Sequence, residues 1–204
     1  MRYYRGAFGG SISMEHMKKY SPVTLVLIGI NVVIFIISMI LGIHRDSILF
    51  GGMAPINYIV NTNEYWRFLT SMFIHSNIMH IAFNMVILMH AGAYYEQKNG
   101  SKSFLKFYIM TGLFVSLSSG LFVSGLSVGA SGAIFALLGY ILYYDLEARK
   151  RGIINQSMIL PLVILNIIIT VLVPQISTVG HLSGLLIGYL IPMFINNKTR
   201  GISH

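Results

Sequence analysis

The chain contains, between Pro22 and Ile43, the sequence PVTLVLIGINVVIFIISMILGI, in which no residue is charged. About 20 consecutive apolar residues are enough to cross the hydrocarbon core of a bilayer as a helix. The segment is also longer than the apolar core of a signal peptide, which has about 7–15 residues. Pro22 suits the first helical turn, because the N–H that proline lacks would have no helical partner there. The segment therefore predicts a transmembrane helix that stays in the protein.

Five more apolar segments of comparable length follow, and together they predict an all-α polytopic membrane protein. They leave little sequence for a soluble domain. We expect one six-helix membrane domain over residues 22–195, with a long first outer loop at 44–77. Residues 1–21 and 196–204 are expected to be cytoplasmic tails. The six predicted spans are Pro22–Ile43, Ile78–Tyr94, Phe104–Val123, Val128–Tyr144, Ile153–Val173 and Val179–Ile195.

The low charge content argues against a soluble fold. Charged residues make up 10% of the 204 residues and hydrophobic residues 55%, whereas a soluble domain has about 25% charged residues. The formal net charge is +8, but the basic residues do not form the stripe that is typical of a nucleic-acid-binding protein. The expected partner is therefore the lipid bilayer and not a nucleic acid. The absence of cysteine excludes disulfides and cysteine-ligated metal sites.

The basic residues predict the orientation of the bundle. Twelve of the 14 lie in the two tails and in the second and fourth connections between spans, whereas only Arg45 and Arg67 lie on the opposite side. Cytoplasmic segments of membrane proteins are enriched in Lys and Arg, so both termini are predicted to be cytoplasmic. The twelve are Arg2, Arg5, Lys18, Lys19, Lys98, Lys102, Lys106, Arg149, Lys150, Arg151, Lys198 and Arg200.

Three polar groups of residues lie near the starts of the second, fourth and sixth predicted helices. In the predicted orientation these helices all begin on the outer side, so the three groups share one depth in the membrane. A histidine within a span is costly and is a candidate functional residue. Glycine and serine are also common where membrane helices pack closely, and this reading stays open for them. The groups are His75, His80 and Asn84, then Gly129–Gly132 (GASG), then Gly180–Gly184 (GHLSG).

Ser131 and His181 have the residue types of a nucleophile and its general base. A serine hydroxyl is a weak nucleophile until a neighbouring imidazole accepts its proton. The side chains of His80 and Asn84, one helical turn apart, carry N–H groups that can stabilise an oxyanion. Hydrolysis of an amide by such a serine and histidine also needs water, so Ser131 is expected to face a polar cavity. Serines 116, 118, 119, 124 and 127 either help to hydrate this cavity or bond to their own helix.

The carboxylates predict a Ser–His dyad without the acid of a triad. All six lie in tails, loops or cytoplasmic helix ends, and only Asp46 or Glu64 of the outer loop could fold in towards His181. The sequence has no His-Glu-x-x-His motif for zinc, no intramembrane pair of aspartates and no phosphate-binding glycine loop. We expect no metal and no cofactor. The six are Glu15, Asp46, Glu64, Glu96, Asp145 and Glu147.

These motifs resemble those of the rhomboid family of intramembrane serine proteases, over residues 64–188. The resemblance rests on Glu64–Thr70 (EYWRFLT) followed by His75, His80 and Asn84, on the GASG sequence, and on Gly180–Gly188 (GHLSGLLIG). It implies that Ser131 is the nucleophile, that His181 is the general base and that His80 and Asn84 stabilise the oxyanion. It also implies single-span membrane proteins as substrates, cut in or near the outer ends of their transmembrane helices. The chain resembles the minimal six-helix bacterial form, which implies a plasma-membrane protein with its active site near the extracytoplasmic side.

One position departs from the family, and several interpretations stay open. Many members have tyrosine four residues after the serine, where this chain has Phe135, so the ring contact with the histidine can persist without the hydroxyl. Residues Pro174–Ser177 are a candidate lid by position only, and a tight turn is the alternative. An inactive rhomboid-like scaffold that binds membrane helices is one alternative function. A transporter that uses His80 and His181 as proton relays is another. The oligomeric state is not determined by the sequence.

Overall fold

The computed structural model describes residues 13–157, 159–173 and 177–201, except for the side chains of 197–201. Arg2, Arg5 and residues 174–176 of the candidate lid lie outside the described residues. A 3-10 helix covers Ser71–Phe73. The α-helices are α1 (Met14–Tyr20), α2 (Pro22–Ile40), α3 (His44–Gly51), α4 (Ile56–Thr62), α5 (Arg67–Thr70), α6 (Ile78–Asn99), α7 (Ser101–Phe122), α8 (Ser131–Lys150), α9 (Ile159–Leu172) and α10 (Thr178–Gly201).

Four helices of the described chain are long and apolar enough to cross a membrane: α2, α6, α7 and the Thr178–Asn196 part of α10. They correspond to the first, second, third and sixth predicted spans. The fourth predicted span overlaps α8, which is buried along most of its length and ends in charged residues. The fifth overlaps α9, which has only 14 residues. The count of six spans and the cytoplasmic location of the termini therefore stay predictions.

Close packing of α8 against α10 aligns the starts of these two helices. A Cβ atom at Gly184 would collide with the carbonyl oxygen of Gly132, and one at Gly188 would collide with the carbonyl oxygen of Ala136. The second contact lies four residues further along both helices than the first, so the two helices run in the same direction. The small-residue spacing in α10 thus serves helix packing, as expected for membrane helices. Its consequence is that the residues just before Gly132 and Gly184 lie side by side.

The first loop is folded and tied to the segment that precedes α8. The buried Arg67 guanidinium pairs with the Glu64 carboxylate and donates a hydrogen bond to the carbonyl oxygen of Gly52 at 2.7 Å. The backbones of Met53 and Ser127 exchange two hydrogen bonds of 2.8 Å. The loop therefore helps to hold the chain just before Ser131.

Glu96 connects three helices at the opposite end of the bundle. Its buried carboxylate accepts hydrogen bonds from the backbone N–H groups of Val23 and Thr24 at 3.0 and 2.8 Å. It also accepts from the hydroxyls of Thr24 and Ser101 at 2.7 and 2.6 Å. The first N–H groups of a helix have no intrahelical partner and favour a negative charge. Glu96 thus caps α2 and fixes it to the α6–α7 connection.

Replacing Glu96 by alanine is expected to lower the free energy of unfolding by about 3 kcal/mol, because it leaves buried N–H donors unpaired. The measurement is the midpoint of denaturant unfolding in detergent micelles. The exposed Glu15 of α1 gives the control, and its replacement by alanine is expected to change stability by less than about 0.5 kcal/mol. Equal stabilities of the two variants would contradict the capping role of Glu96.

Candidate active site

Ser131 is the first residue of α8 and lies at a helix start that has no side-chain cap. The preceding Gly129 has a φ angle of +124°, a conformation that glycine adopts without a steric penalty. Its N–H donates to the carbonyl oxygen of Ser71 at 2.8 Å. Because the first N–H groups of a helix lack intrahelical partners, those of Ser131 and Gly132 are available to a negatively charged group.

His181 lies in the first turn of α10 and is 8% exposed. Its imidazole stacks on the Phe135 ring, with the ring centroids 4.0 Å apart and the planes inclined by 17°. Phe135 follows Ser131 by four residues, which is one turn of α8. The ring contact expected at this position is therefore confirmed, with phenylalanine in place of tyrosine. The Nδ1 atom of His181 lies 2.7 Å from the hydroxyl oxygen of Thr170 in α9.

Ser131 and His181 occupy the same layer of the bundle but form no direct hydrogen bond. The packing of Gly184 against Gly132 brings the two helix starts together, and the Phe135 ring bridges them. The Ser131 hydroxyl has no hydrogen bond to another group in the part of the chain that the structure describes. Hydrogen bonds between catalytic residues are often long without substrate and tighten when substrate binds. The packing therefore places the two residues at the same end of the α8–α10 pair, with no hydrogen bond between their side chains.

His80, in the first turn of α6, packs against the glycine that precedes the Ala130–Ser131 pair. A Cβ atom at Gly129 would lie 2.8 Å from the His80 Nε2 atom and 3.6 Å from the Ser131 hydroxyl oxygen. The Ser76 backbone N–H donates to His80 Nδ1 at 3.4 Å, and the Ser76 hydroxyl oxygen lies 3.0 Å from the same nitrogen. The N–H group can only donate and the hydroxyl can also donate, so both contacts are satisfied when Nδ1 is the acceptor and the proton of the neutral ring is on Nε2. That Nε2–H group is on the side of the ring that faces Gly129.

Asn84 and His75 occupy buried positions on either side of His80 in the sequence. Asn84 is 5% exposed, and its Nδ2 donates to no group of the described chain. The Asn84 amide follows His80 by four residues and so shares its face of α6.

His75 precedes α6, and burial lowers its pKa to about 3, so the ring is neutral. Its Nε2 accepts a long hydrogen bond of 3.5 Å from the N–H of Ala130, which helps to hold the chain before Ser131.

A small cavity with both polar and apolar walls adjoins Ser131. Its volume is about 30 Å³, enough for one or two water molecules, since each needs about 10–15 Å³. Ser116, Ser119 and Ser127 line it as expected, whereas Ser118 bonds to its own helix and Ser124 lines a different cavity. The serines of the cavity wall are Ser71, Ser116, Ser119, Ser127, Ser131 and Ser177.

No carboxylate contacts His181 in the described chain. Glu64, which the sequence left open as a partner, is paired with Arg67 in the first loop. Asp46 forms no hydrogen bond or ion pair with the imidazole either, and Thr170 occupies its Nδ1 side. The Ser–His dyad without a third acid stays a prediction.

Sequence reasoning missed two polar partners of the histidines. Thr170 is not an acid and lies within the fifth apolar segment, so the positions of the carboxylates gave no indication that it contacts His181. Ser76, which contacts Nδ1 of His80 through its backbone N–H and its hydroxyl, was also not predicted. The signal that could have indicated Thr170 is a polar side chain within a predicted span.

Comparison with known proteins gives matches over most of the chain. The sequence profile described as "Rhomboid domain" matches residues 62–198. Rhomboid protease GluP of Bacillus subtilis is 34% identical over 170 residues, which are 81% of this chain and 33% of that protein. Rhomboid-like protease 2 of Toxoplasma gondii is 26% identical over 90% of this chain and 68% of its own length. Rhomboid protease GlpG of Yersinia pestis is 28% identical over 83% of this chain and 61% of its own length. The chain thus spans about a third of the Bacillus relative and three-fifths of the Yersinia relative.

Proposed function

Because this chain belongs to the rhomboid family, we propose that it is an intramembrane serine endopeptidase that uses Ser131 and His181 as a catalytic dyad. The chain is a multi-pass membrane protein, and its relatives in Bacillus and Yersinia are named rhomboid proteases. The observation that carries the proposal is the parallel packing of α8 on α10. This packing stacks His181 on the residue one turn beyond Ser131.

The proposed reaction proceeds through an acyl-enzyme. His181 accepts the proton of the Ser131 hydroxyl while the serine oxygen attacks the carbonyl carbon of the scissile peptide. The resulting imidazolium then donates that proton to the leaving amine, and the C–N bond breaks. A water molecule then attacks the acyl carbonyl carbon while giving a proton to the same imidazole, and the imidazolium returns that proton to the Ser131 oxygen as the ester C–O bond breaks. The serine-lined cavity beside Ser131 has room to hold that water.

Three kinds of N–H group are available to the oxyanion of the tetrahedral intermediate. The first-turn N–H groups of α8 have no side-chain cap. The Nε2–H of His80 faces the glycine beside the serine. The Nδ2 of Asn84 is a buried donor with no acceptor in the described chain. Preorganised donors of this kind stabilise the transition state more than the substrate, because the negative charge develops only there.

The proposed substrates are single-span membrane proteins, cut in or near the outer end of the transmembrane helix. An amide within a helix is already hydrogen-bonded, so the substrate must unwind locally before Ser131 can reach it. Segments that contain glycine or proline unwind most easily and are the expected cleavage sites. With the cytoplasmic termini that the basic residues predict, the site opens on the extracytoplasmic side of a plasma membrane.

The deciding experiment is labelling of the purified protein with a fluorophosphonate, which reacts with activated serines. Labelling of the native chain and its loss in Ser131→Ala would support the protease. An inactive scaffold, the alternative in which the chain only binds membrane helices, would not be labelled. Proton-coupled flux in liposomes without labelling would favour the transporter instead.

Replacing Asn84 by alanine is expected to lower kcat by about 10²–10³-fold, the usual effect of removing one oxyanion donor. KM is expected to change little, because the oxyanion exists only after the serine has attacked. The measurement is the cleavage rate of a single-span substrate in proteoliposomes. Asn31→Ala removes another buried asparagine, from α2, and is the control, with cleavage expected to stay within about threefold of the native rate. A native rate for Asn84→Ala would remove Asn84 from the oxyanion site.

A further inference from the structure

Thr170 is the only described residue that forms a hydrogen bond with the His181 imidazole. The threonine belongs to α9, is 2% exposed, and its hydroxyl oxygen lies 2.7 Å from His181 Nδ1. The same hydroxyl lies 2.7 Å from the backbone carbonyl oxygen of Asn166, one turn earlier in α9. The imidazole is therefore held between the Phe135 ring on its face and the Thr170 hydroxyl at its edge.

The positions of the protons in this chain of contacts follow from the donor inventory. The Asn166 carbonyl oxygen can only accept, so its short contact with Thr170 requires the hydroxyl proton. Once that single proton is used, the Thr170 oxygen can only accept from the imidazole. The contact with His181 is then Nδ1–H donating to oxygen. In a neutral imidazole with its proton on Nδ1, the Nε2 atom carries the free lone pair.

We propose that Thr170 is a positioning residue that keeps the His181 proton on Nδ1 and leaves Nε2 as the base for Ser131. The inference rests on the proposed function, since it assigns a role within the proposed dyad. When Nε2 accepts the serine proton, the imidazolium keeps its Nδ1–H bond to the Thr170 oxygen. Because the Thr170 hydroxyl donates its hydrogen bond to the Asn166 carbonyl oxygen, a lone pair of the hydroxyl oxygen is directed towards the Nδ1–H group of His181.

The Thr170 hydroxyl occupies the position at Nδ1 that the acid has in a Ser-His-Asp triad, but it carries no charge. An aspartate holds the tautomer and also stabilises the imidazolium by its charge, and its loss in a serine protease costs about 10⁴-fold in kcat. A neutral oxygen holds the tautomer and supplies only a dipole. Loss of Thr170 is therefore expected to cost less, on the order of 10–100-fold in kcat, by analogy with the loss seen when a group that orients a metal-bound histidine is removed.

The test compares three variants in a reconstituted cleavage assay. Thr170→Val keeps the shape of the side chain without the hydroxyl and is expected to lower kcat by about 10–100-fold with KM unchanged. Thr170→Ser restores the hydroxyl and is expected to return kcat to within about threefold of the native value. Thr111→Val is the matched control, since Thr111 is also 2% exposed and bonds at 2.7 Å to a carbonyl of its own helix, α7. A similar kcat for Thr170→Val and Thr111→Val would overturn the proposal.

A second measurement does not depend on activity. Nitrogen-15 NMR of labelled histidine, with the His181 signals assigned by their loss in His181→Ala, reports which ring nitrogen carries the proton. The native chain and Thr170→Ser are expected to show a protonated Nδ1, whereas Thr170→Val is expected to show a mixture of both tautomers. A native chain with its proton on Nε2 would overturn the inference. Failure of the native chain to cleave or to label at Ser131 would instead overturn the proposed function, so the two failures are distinguishable.

Discussion

Ser131→Ala is expected to abolish cleavage of a single-span substrate, with a loss of at least about 10⁴-fold in kcat. The serine oxygen is the atom that would form the acyl bond, and alanine offers no replacement nucleophile. The loss of the hydroxyl is not expected to disturb the fold, because it makes no hydrogen bond within the described chain. The measurement is the rate of product formation in proteoliposomes, together with the thermal midpoint of each variant.

The matched control for this prediction is Ser118→Ala. Ser118 lies in α7, and among the residues that the structure describes its hydroxyl donates only to the carbonyl oxygen of Phe114 in the same helix, at 3.0 Å. Its loss is expected to leave cleavage within about twofold of the native rate, since nothing ties it to the cavity beside Ser131. Full cleavage by Ser131→Ala would exclude the proposed dyad.

His181→Ala is expected to have an effect close to that of Ser131→Ala on cleavage and also to abolish fluorophosphonate labelling. Residues that act as one catalytic unit each cost about as much as the whole unit when removed. Without the imidazole the serine proton has no acceptor, because no carboxylate contacts this position in the described chain. The double variant Ser131→Ala with His181→Ala is therefore expected to be no slower than either single variant.

The histidine control is His16→Ala. His16 is exposed and lies in α1, where it contacts Gln97, far along the chain from the dyad. Native cleavage is expected, with an unchanged labelling rate. Persistent labelling of His181→Ala at Ser131 would mean that another group activates the serine, and the role of His181 would then be wrong.

The helices with spanning character were predictable because their signal is local. An uncharged apolar stretch near Pro22 predicts a span from composition alone, and the observed α2 begins at that residue. The prediction was less accurate where a special backbone conformation decides the boundary. The fourth segment was expected to start at Val128, but Gly129 has a positive φ angle and the helix begins only at Ser131. Hydropathy does not detect such a change in backbone direction.

The first loop shows a second kind of limit. The sequence predicted a long outer loop at 44–77, whereas in the structure this loop folds into α3, α4 and α5 and contains an ion pair between the buried Arg67 and the half-buried Glu64. Arg67 reaches Glu64 and the carbonyl oxygen of Gly52 at once. The pair is three residues apart and visible in the sequence, whereas the distant carbonyl depends on how the loop folds back. The same pairing removes Glu64 as a partner of His181.

The sequence by itself determined the membrane character, the family and the identity of the candidate nucleophile and base, because hydropathy and short motifs are properties of neighbouring residues. Only the tertiary structure decided what surrounds these residues. The stack of His181 on Phe135 follows from glycines that let α8 and α10 approach. The contact between Thr170 and His181 depends on the orientation of the Thr170 hydroxyl, which reaches from α9 to α10. Contacts of this kind arise from packing between distant segments, and no local pattern in the chain specifies them.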